Sequence, residues 1–216
     1  MILEIDNVEL YFKEKKVLGG IYLKAETGSI TGILGRNGCG KSSLLRIIFG
    51  DLKPKYGLVK VDAKPILKQL YKTGLAGYLP QQNYLPNSVS IPQIFKLYKV
   101  KWEEFTMEFP EFGKYHNSGI KDLSGGERRL IETYLILKGD YKIMLLDEPF
   151  SHLSPLHFDQ IIKIMHQQKD EKVIILTDHM YRHIETVADK FYLIKNNCTI
   201  LMESFESLED YGYVKL

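Results

Sequence analysis

The stretch "GRNGCGKSS", Gly35 to Ser43, has the residue types and spacing needed to hold phosphates. It fits the template Gly-x-x-x-x-Gly-Lys-[Ser/Thr] without a gap. Glycines 35, 38 and 40 let the backbone take conformations barred to residues with a Cβ. Successive N–H groups, those of Arg36, Asn37 and Cys39 among them, can then point inward and ring a polyphosphate. Lys41 adds a point charge that reaches the β and γ phosphates. Ser42 offers a hydroxyl to Mg²⁺, and Ser43 is placed for the α-phosphate at the positive end of a helix that begins here. The alternative is a Gly-rich turn with a solvated lysine. The flanks argue against it: "SITGILG" reads as a buried strand and "LLRIIF" as a helix ending at Gly50. Such a loop specifies a nucleoside triphosphate but not the machine around it, because unrelated ATPases, GTPases and kinases share it.

A second candidate lies at "KIMLLDEPF", an apolar strand ending in Asp147 and Glu148. Ligands of α/β proteins bind at this end of the sheet. Asp147 there would hold Mg²⁺ through water, and Glu148 would polarise an attacking water. Standing alone, two adjacent acids could also be a solvated turn.

These residues need elements to carry them. The 216 residues suffice for one domain with a small inserted lobe, and the apolar and charged fractions, 44% and 26%, are those of an ordinary globule. A net charge of +2, with Lys and Glu interleaved along the chain, gives no footprint for nucleic acid. No apolar run approaches the roughly 18 residues needed to span a bilayer, and "MILEIDNVEL" lacks the layout of a signal peptide. A soluble, cytosolic chain is expected. Cys39 and Cys198 are far apart and have no metal-ligand spacing, so both are expected as free thiols. Cys39 either confers sensitivity to thiol reagents or fills a small gap.

The strands "ILEIDNVELYF", "IYLKAE" and "LVKV" alternate with period two and predict an antiparallel sheet. "LAGYL", "KIMLL" and "KVIIL" read as doubly buried strands with helices between them, the pattern of a parallel sheet. "FYLI" and "TILM", joined across Asn196-Asn197, predict a hairpin. Residues 84–121, with Pro86, Pro92, Pro110 and many aromatics, predict a short helical insertion with a helix at "PQIFKLYKV".

"LSGGE", Leu123 to Glu127, decides among the machines. Ser124 and Glu127 have the spacing of a capping box, and Gly125 and Gly126 leave the helix start bare for a phosphate. With the phosphate loop upstream and "LLDEP" downstream, the stretch resembles the signature motif of the ATP-binding cassette (ABC) family. The resemblance covers nearly the whole chain in order. It implies a phosphate-loop α/β fold: a mostly parallel sheet flanked by helices, an N-terminal antiparallel β subdomain and a short helical subdomain insertion, all in one ATPase domain over 1–216.

By the same resemblance, "GYLPQQ" is similar to the glutamine loop, with Gln81 contacting Mg²⁺ or water and Gln82 as the alternative register. "LTDH" makes His179 the γ-phosphate sensor. Phe12, with Tyr11 as the alternative, matches the aromatic that stacks on adenine. Two copies would pair head to tail around ATP. Lys41, Mg²⁺ and the loop amides would hold the phosphates, Glu148 would orient water and His179 would support the γ-phosphate. The commonest role implied is the ATP-hydrolysing subunit of a transporter. It would sit on the cytoplasmic face of a membrane through separate permease subunits, pairing with a second copy or a homologous subunit. The aromatics of "NYLPNSVSIPQIFKLY" are either a contact for the permease or the insertion's own core. Two alternatives stay open: a soluble ABC ATPase of an assembly or repair system, and an ATP-binding regulator with little turnover.

His179 and His183 have the spacing of two zinc ligands on a helix, but the glutamate of a His-Glu-x-x-His site is replaced by Met180. The remaining histidines read as surface residues. One departure from the family pattern stands out. Where the family usually has Ser-Ala-Leu-Asp, this chain has Ser151 to Ser154, "SHLS", so a serine stands in place of the aspartate that couples the two sites.

Overall fold

Two sheets, one antiparallel and one mostly parallel, frame the protein in a computed structural model that describes residues 1–214. β1 (Ile2–Phe12) and β2 (Lys15–Glu26) form a hairpin that turns at Lys13, whose φ is 56°. Along β1 the buried set is Leu3 and Ile5, then Val8 and Leu10. The switch from odd to even positions follows a bulge at Asn7, which has a φ of 51°. β2 is longer than the predicted "IYLKAE": it pairs with β1 from Lys15 on, through Gly19 and Gly20, which interrupt the alternation and hide the strand in the sequence.

β3 (Ile30–Gly35) leads into the phosphate loop and α1 (Lys41–Phe49), which ends as predicted on a left-handed Gly50 whose N–H bonds Arg46 O. β4 (Tyr56–Val61) and the short β5 (Lys64–Pro65) complete the antiparallel sheet in the order β2-β1-β4-β5. β6 (Ala76–Leu79) is followed by α2 (Ile91–Leu97) and α3 (Trp102–Glu108). The chain then runs through α4 (Gly125–Lys138), β7 (Ile143–Asp147), α5 (Pro155–Gln168), β8 (Val173–Thr177) and α6 (Tyr181–Val187). It closes with the predicted hairpin of β9 (Lys190–Lys195) and β10 (Cys198–Met202), and α7 (Ser207–Asp210).

The second sheet has the order β10-β9-β3-β8-β7-β6, parallel throughout except for β10 against β9. Side chains alternate between its two faces. Ile143 and Leu145 of β7, with Val173 and Ile175 of β8, join the core shared with α1 and the antiparallel sheet. Met144, Leu146, Ile174 and Leu176 join the core shared with α4, α5 and the insertion. That double burial explains why these strands read as unbroken apolar runs.

The aromatics of the inserted segment are its own core. Phe95, Phe105, Phe109 and Phe112 are buried. Phe105 lies 4.8 Å from Tyr134 of α4, 5.1 Å from Phe109 and Phe112, and 5.2 Å from Phe95, between ring centroids. Of the aromatics in "NYLPNSVSIPQIFKLY", Phe95 is buried in this core, while Tyr84 and Tyr98 are half-buried against it. Leu97 and Met107, 76% and 73% exposed, are what the lobe shows to solvent.

Candidate nucleotide site

Because β3, β6, β7 and β8 are parallel, their carboxyl ends open onto one edge of the sheet, and the loops that leave them meet there. Together they line a cleft of about 610 Å³. From β3 come Asn37, Gly38, Gly40, Lys41, Ser42 and Ser43, from β6 Gln81, from β7 Glu148 and from β8 His179. Phe12, Lys15 and Val17 reach over from the β1–β2 hairpin. Phe12 is 52% exposed and faces the cleft. Tyr11 is absent from the lining: its hydroxyl bonds Glu9 at 3.4 Å, and the ammonium groups of Lys55 and Lys16 lie over its ring. Gln82, the alternative to Gln81, does not line the cleft either.

The loop itself is tightly backed. Gly40 sits at φ 107°, and a Cβ there would lie 2.6 Å from Leu18 Cδ2, so no other residue fits. Lys41 Nζ is held by the loop it belongs to, donating to Gly35 O at 2.6 Å. The side chains of Arg36 and Cys39 turn away from the cleft: Arg36 donates to Gly212 O at 3.2 Å, and both line a separate hollow against Tyr211 and Tyr213. Their part in the site is thereby limited to their backbone amides. Burial pushes the Cys39 thiol up despite the nearby Lys41, which favours the gap-filling role over reactivity.

Asp147 lies below the cleft, 1% exposed. Thr177 Oγ1 donates to its Oδ1 at 2.6 Å, and the Tyr78 hydroxyl donates to its Oδ2 at 3.5 Å. Burial, with the Asp147 carboxylate beside it, keeps the Tyr78 phenol protonated and therefore a donor. Glu148 has φ 51°, a left-handed conformation costly for a residue with a Cβ. Its N–H bonds Thr177 O at 3.0 Å, and its carbonyl accepts from Arg129 Nη2 at 2.9 Å. Such strain persists where surrounding contacts over-determine it, and it gathers at functional positions. The Glu148 carboxylate lies 3.4 Å from Nδ1 of His179.

Ser124, Gly125 and Gly126 do not line this cleft. They begin α4, where Ser124 Oγ accepts from Glu127 N at 3.3 Å and Glu127 Oε2 accepts from Ser124 N at 2.9 Å, so the capping box forms. Gly126 has a packing duty too: a Cβ there would meet His152 O at 2.4 Å. Ser154 caps α5, accepting from His157 N at 3.3 Å. His183 pairs with Asp178 at 2.9 Å and packs on Phe150 and Phe158, while His179 faces Glu148. His157 differs from the surface role expected of it: it bonds Glu111 at 2.7 Å and packs beside Phe109 and Phe112. Lys15, Val17, Thr177 and Arg129 carry no local sequence signal that assigns them to the site.

A parallel sheet with a phosphate loop after central β3, two carboxylates at the end of β7, with β8 between the two strands, and a capped Gly-Gly helix start defines a phosphate-loop ATPase. The sequence pattern of the ABC transporter family matches residues 18–151, and the chain belongs to that family as an ATP-binding, ATP-hydrolysing transporter subunit. An uncharacterised ABC transporter ATP-binding protein of Methanocaldococcus jannaschii is 29% identical over 95% of this chain and 79% of its own. The lipopolysaccharide export system ATP-binding protein LptB of Haemophilus influenzae is 29% identical over 89% of this chain and 86% of its own. A solved ATP-binding subunit of an ABC transporter shares the fold with a TM-score of 0.82 over 99% of this chain and 94% of that one, at 19% identity. These relatives do not favour a soluble assembly ATPase or a low-turnover regulator.

Proposed function

We propose that ATP binds with its base against Phe12 and its phosphates in the loop from Gly35 to Ser43, and that two chains pair head to tail. Ser124, Gly125 and Gly126 of each chain then close over the γ-phosphate held by the other. One observation carries this reading: Lys41, Gln81, Glu148 and His179 share a cleft that the signature turn of the same chain does not reach. A second chain supplies the missing wall.

Within the cleft the chain's own groups divide the work. The loop amides and Lys41 bind and orient the phosphates. Glu148 orients and polarises the attacking water, and His179, in contact with Glu148, supports the γ-phosphate. Ser42, Asp147 and Gln81 offer oxygen donors, a set suited to Mg²⁺ rather than to a softer ion, and they would hold it. When bound, Mg²⁺ supplies charge that offsets the phosphates during transfer. Thr177 and Tyr78 fix the Asp147 carboxylate for that role.

Among the described residues no helix is long and apolar enough to cross a membrane. In the proposed assembly separate permease subunits provide the membrane passage, and the chain works at the cytoplasmic face through them. Replacing Glu148 by Gln tests the chemistry. ATP affinity should hold, turnover should fall by on the order of a hundredfold or more, and an ATP-bound dimer should accumulate in size-exclusion chromatography. Near-normal turnover would move the base elsewhere.

A further inference from the structure

The Arg129 guanidinium, 2% exposed, forks between two segments that flank the cleft. Its Nη1 donates to the carbonyl of Pro80, the residue before Gln81, at 2.7 Å. Its Nη2 donates to the carbonyls of Asp147 and Glu148. The fully buried Glu132 carboxylate faces it at 3.7 Å from the same helix. Glu132 also accepts from the amides of Tyr84 and Leu85, beyond Gln81 in the chain, at 3.1 and 3.3 Å. Thus α4, whose first turn carries the signature residues, grips the glutamine segment on both sides and the turn that carries Glu148.

We propose that Arg129 is a positioning residue that transmits the placement of the signature helix to Glu148. Resting on the head-to-tail reading above, this makes a nucleotide engaged by one chain's signature set that chain's own carboxylate, which serves the other nucleotide. The geometry requires arginine. Three carbonyls on two segments are met by two nitrogens of one planar group, which a lysine ammonium cannot span. The left-handed Glu148 is held from both sides, its N–H by Thr177 and its carbonyl by Arg129. Loosening either bond releases the strain and lets the carboxylate drift, and misplacement by about 1 Å can cost on the order of a hundredfold in rate.

The test is a mutant cycle in ATP turnover and ATP affinity. Arg129→Lys should lower kcat by about tenfold or more with the ATP Kd changed less than about threefold. Added to Glu148→Gln, it should change the residual turnover by less than about twofold, since a residue acting through Glu148 has nothing left to position. Should Arg129→Lys fail to fold, Arg129→Met with Glu132→Gln carries the same cycle. That pair removes the charges of Arg129 and Glu132 together, and its new amide oxygen can still accept from Tyr84, Leu85 and the Arg128 guanidinium, which bonds Glu132 at 3.1 Å. An unchanged kcat, or an equal loss in both backgrounds, overturns the proposal alone. Near-normal turnover of Glu148→Gln by itself overturns the carboxylate assignment and this proposal with it.

Discussion

Phe12→Ala separates nucleotide binding from folding. The ring is 52% exposed at the end of a strand, so its removal leaves little cavity, and stability should change by no more than about 0.5 kcal/mol. For a chain of this length that is a midpoint shift within about 2 °C. Binding is another matter, because the ring faces the cleft rather than the core. Base–aromatic stacking is worth ~1–3 kcal/mol, which corresponds to a Kd for ATP raised about 5- to 150-fold. Every base has a π-face, so GTP should compete with ATP within about tenfold. Isothermal titration with ATP and with GTP, run on wild type, Phe12→Ala and Tyr11→Ala beside thermal melts, reads all of these. Tyr11 is engaged with Glu9 and two lysines away from the cleft, so Tyr11→Ala should leave the Kd near wild type. A larger binding loss from Tyr11→Ala than from Phe12→Ala, or no loss from either, would refute the assignment of the ring.

Three other substitutions probe the frame. Gly126→Ala places a Cβ 2.4 Å from the His152 carbonyl, so a main-chain shift at the signature turn should cost about 1–3 kcal/mol in denaturant unfolding and depress ATPase activity. Phe105→Ala, at the centre of the insertion's ring cluster, should cost about 3–5 kcal/mol in the same assay. Ser154→Asp keeps the α5 cap and adds the carboxylate that the family pattern usually carries there, so stability should hold while the Hill coefficient for ATP rises if that carboxylate couples the two proposed sites. An unchanged Hill coefficient, with wild type already strongly cooperative, would leave Ser154 as a cap only.

The parts of the site built from contiguous residues were legible in the sequence. The phosphate loop, the strand ending in Asp147 and Glu148, and the Ser124–Glu127 capping box each carry their geometry within a few positions. The fold class was legible for the same reason: β7 and β8 are buried on both faces, so their apolar runs announce a parallel sheet. What was hidden depends on long-range contact. The early start of β2 is masked by Gly19 and Gly20, and only pairing with β1 extends it to Lys15. The insertion's aromatics could have faced outward or inward, and Tyr134 of α4, far away in sequence, draws them in. Arg129 is the clearest case. Its partners Pro80, Asp147 and Glu148 come from two other segments, and no local pattern marks an arginine as a buried fork.

The head-to-tail composite site is the central claim, and mixing two inactive forms tests it most directly. Lys41→Ala disables the phosphate loop and Gly125→Asp disables the signature, so each protein alone should have almost no turnover. In a mixed dimer one site combines the two lesions and the other is intact. Random pairing makes half the dimers mixed, each with one complete site, so an equimolar mixture should regain activity with about a quarter of the wild-type rate as its ceiling, reached only where the two sites work independently. Clear recovery in a coupled phosphate-release assay would show that the signature of one chain completes the phosphate loop of another. No recovery, with both proteins folded and able to pair, would contradict it.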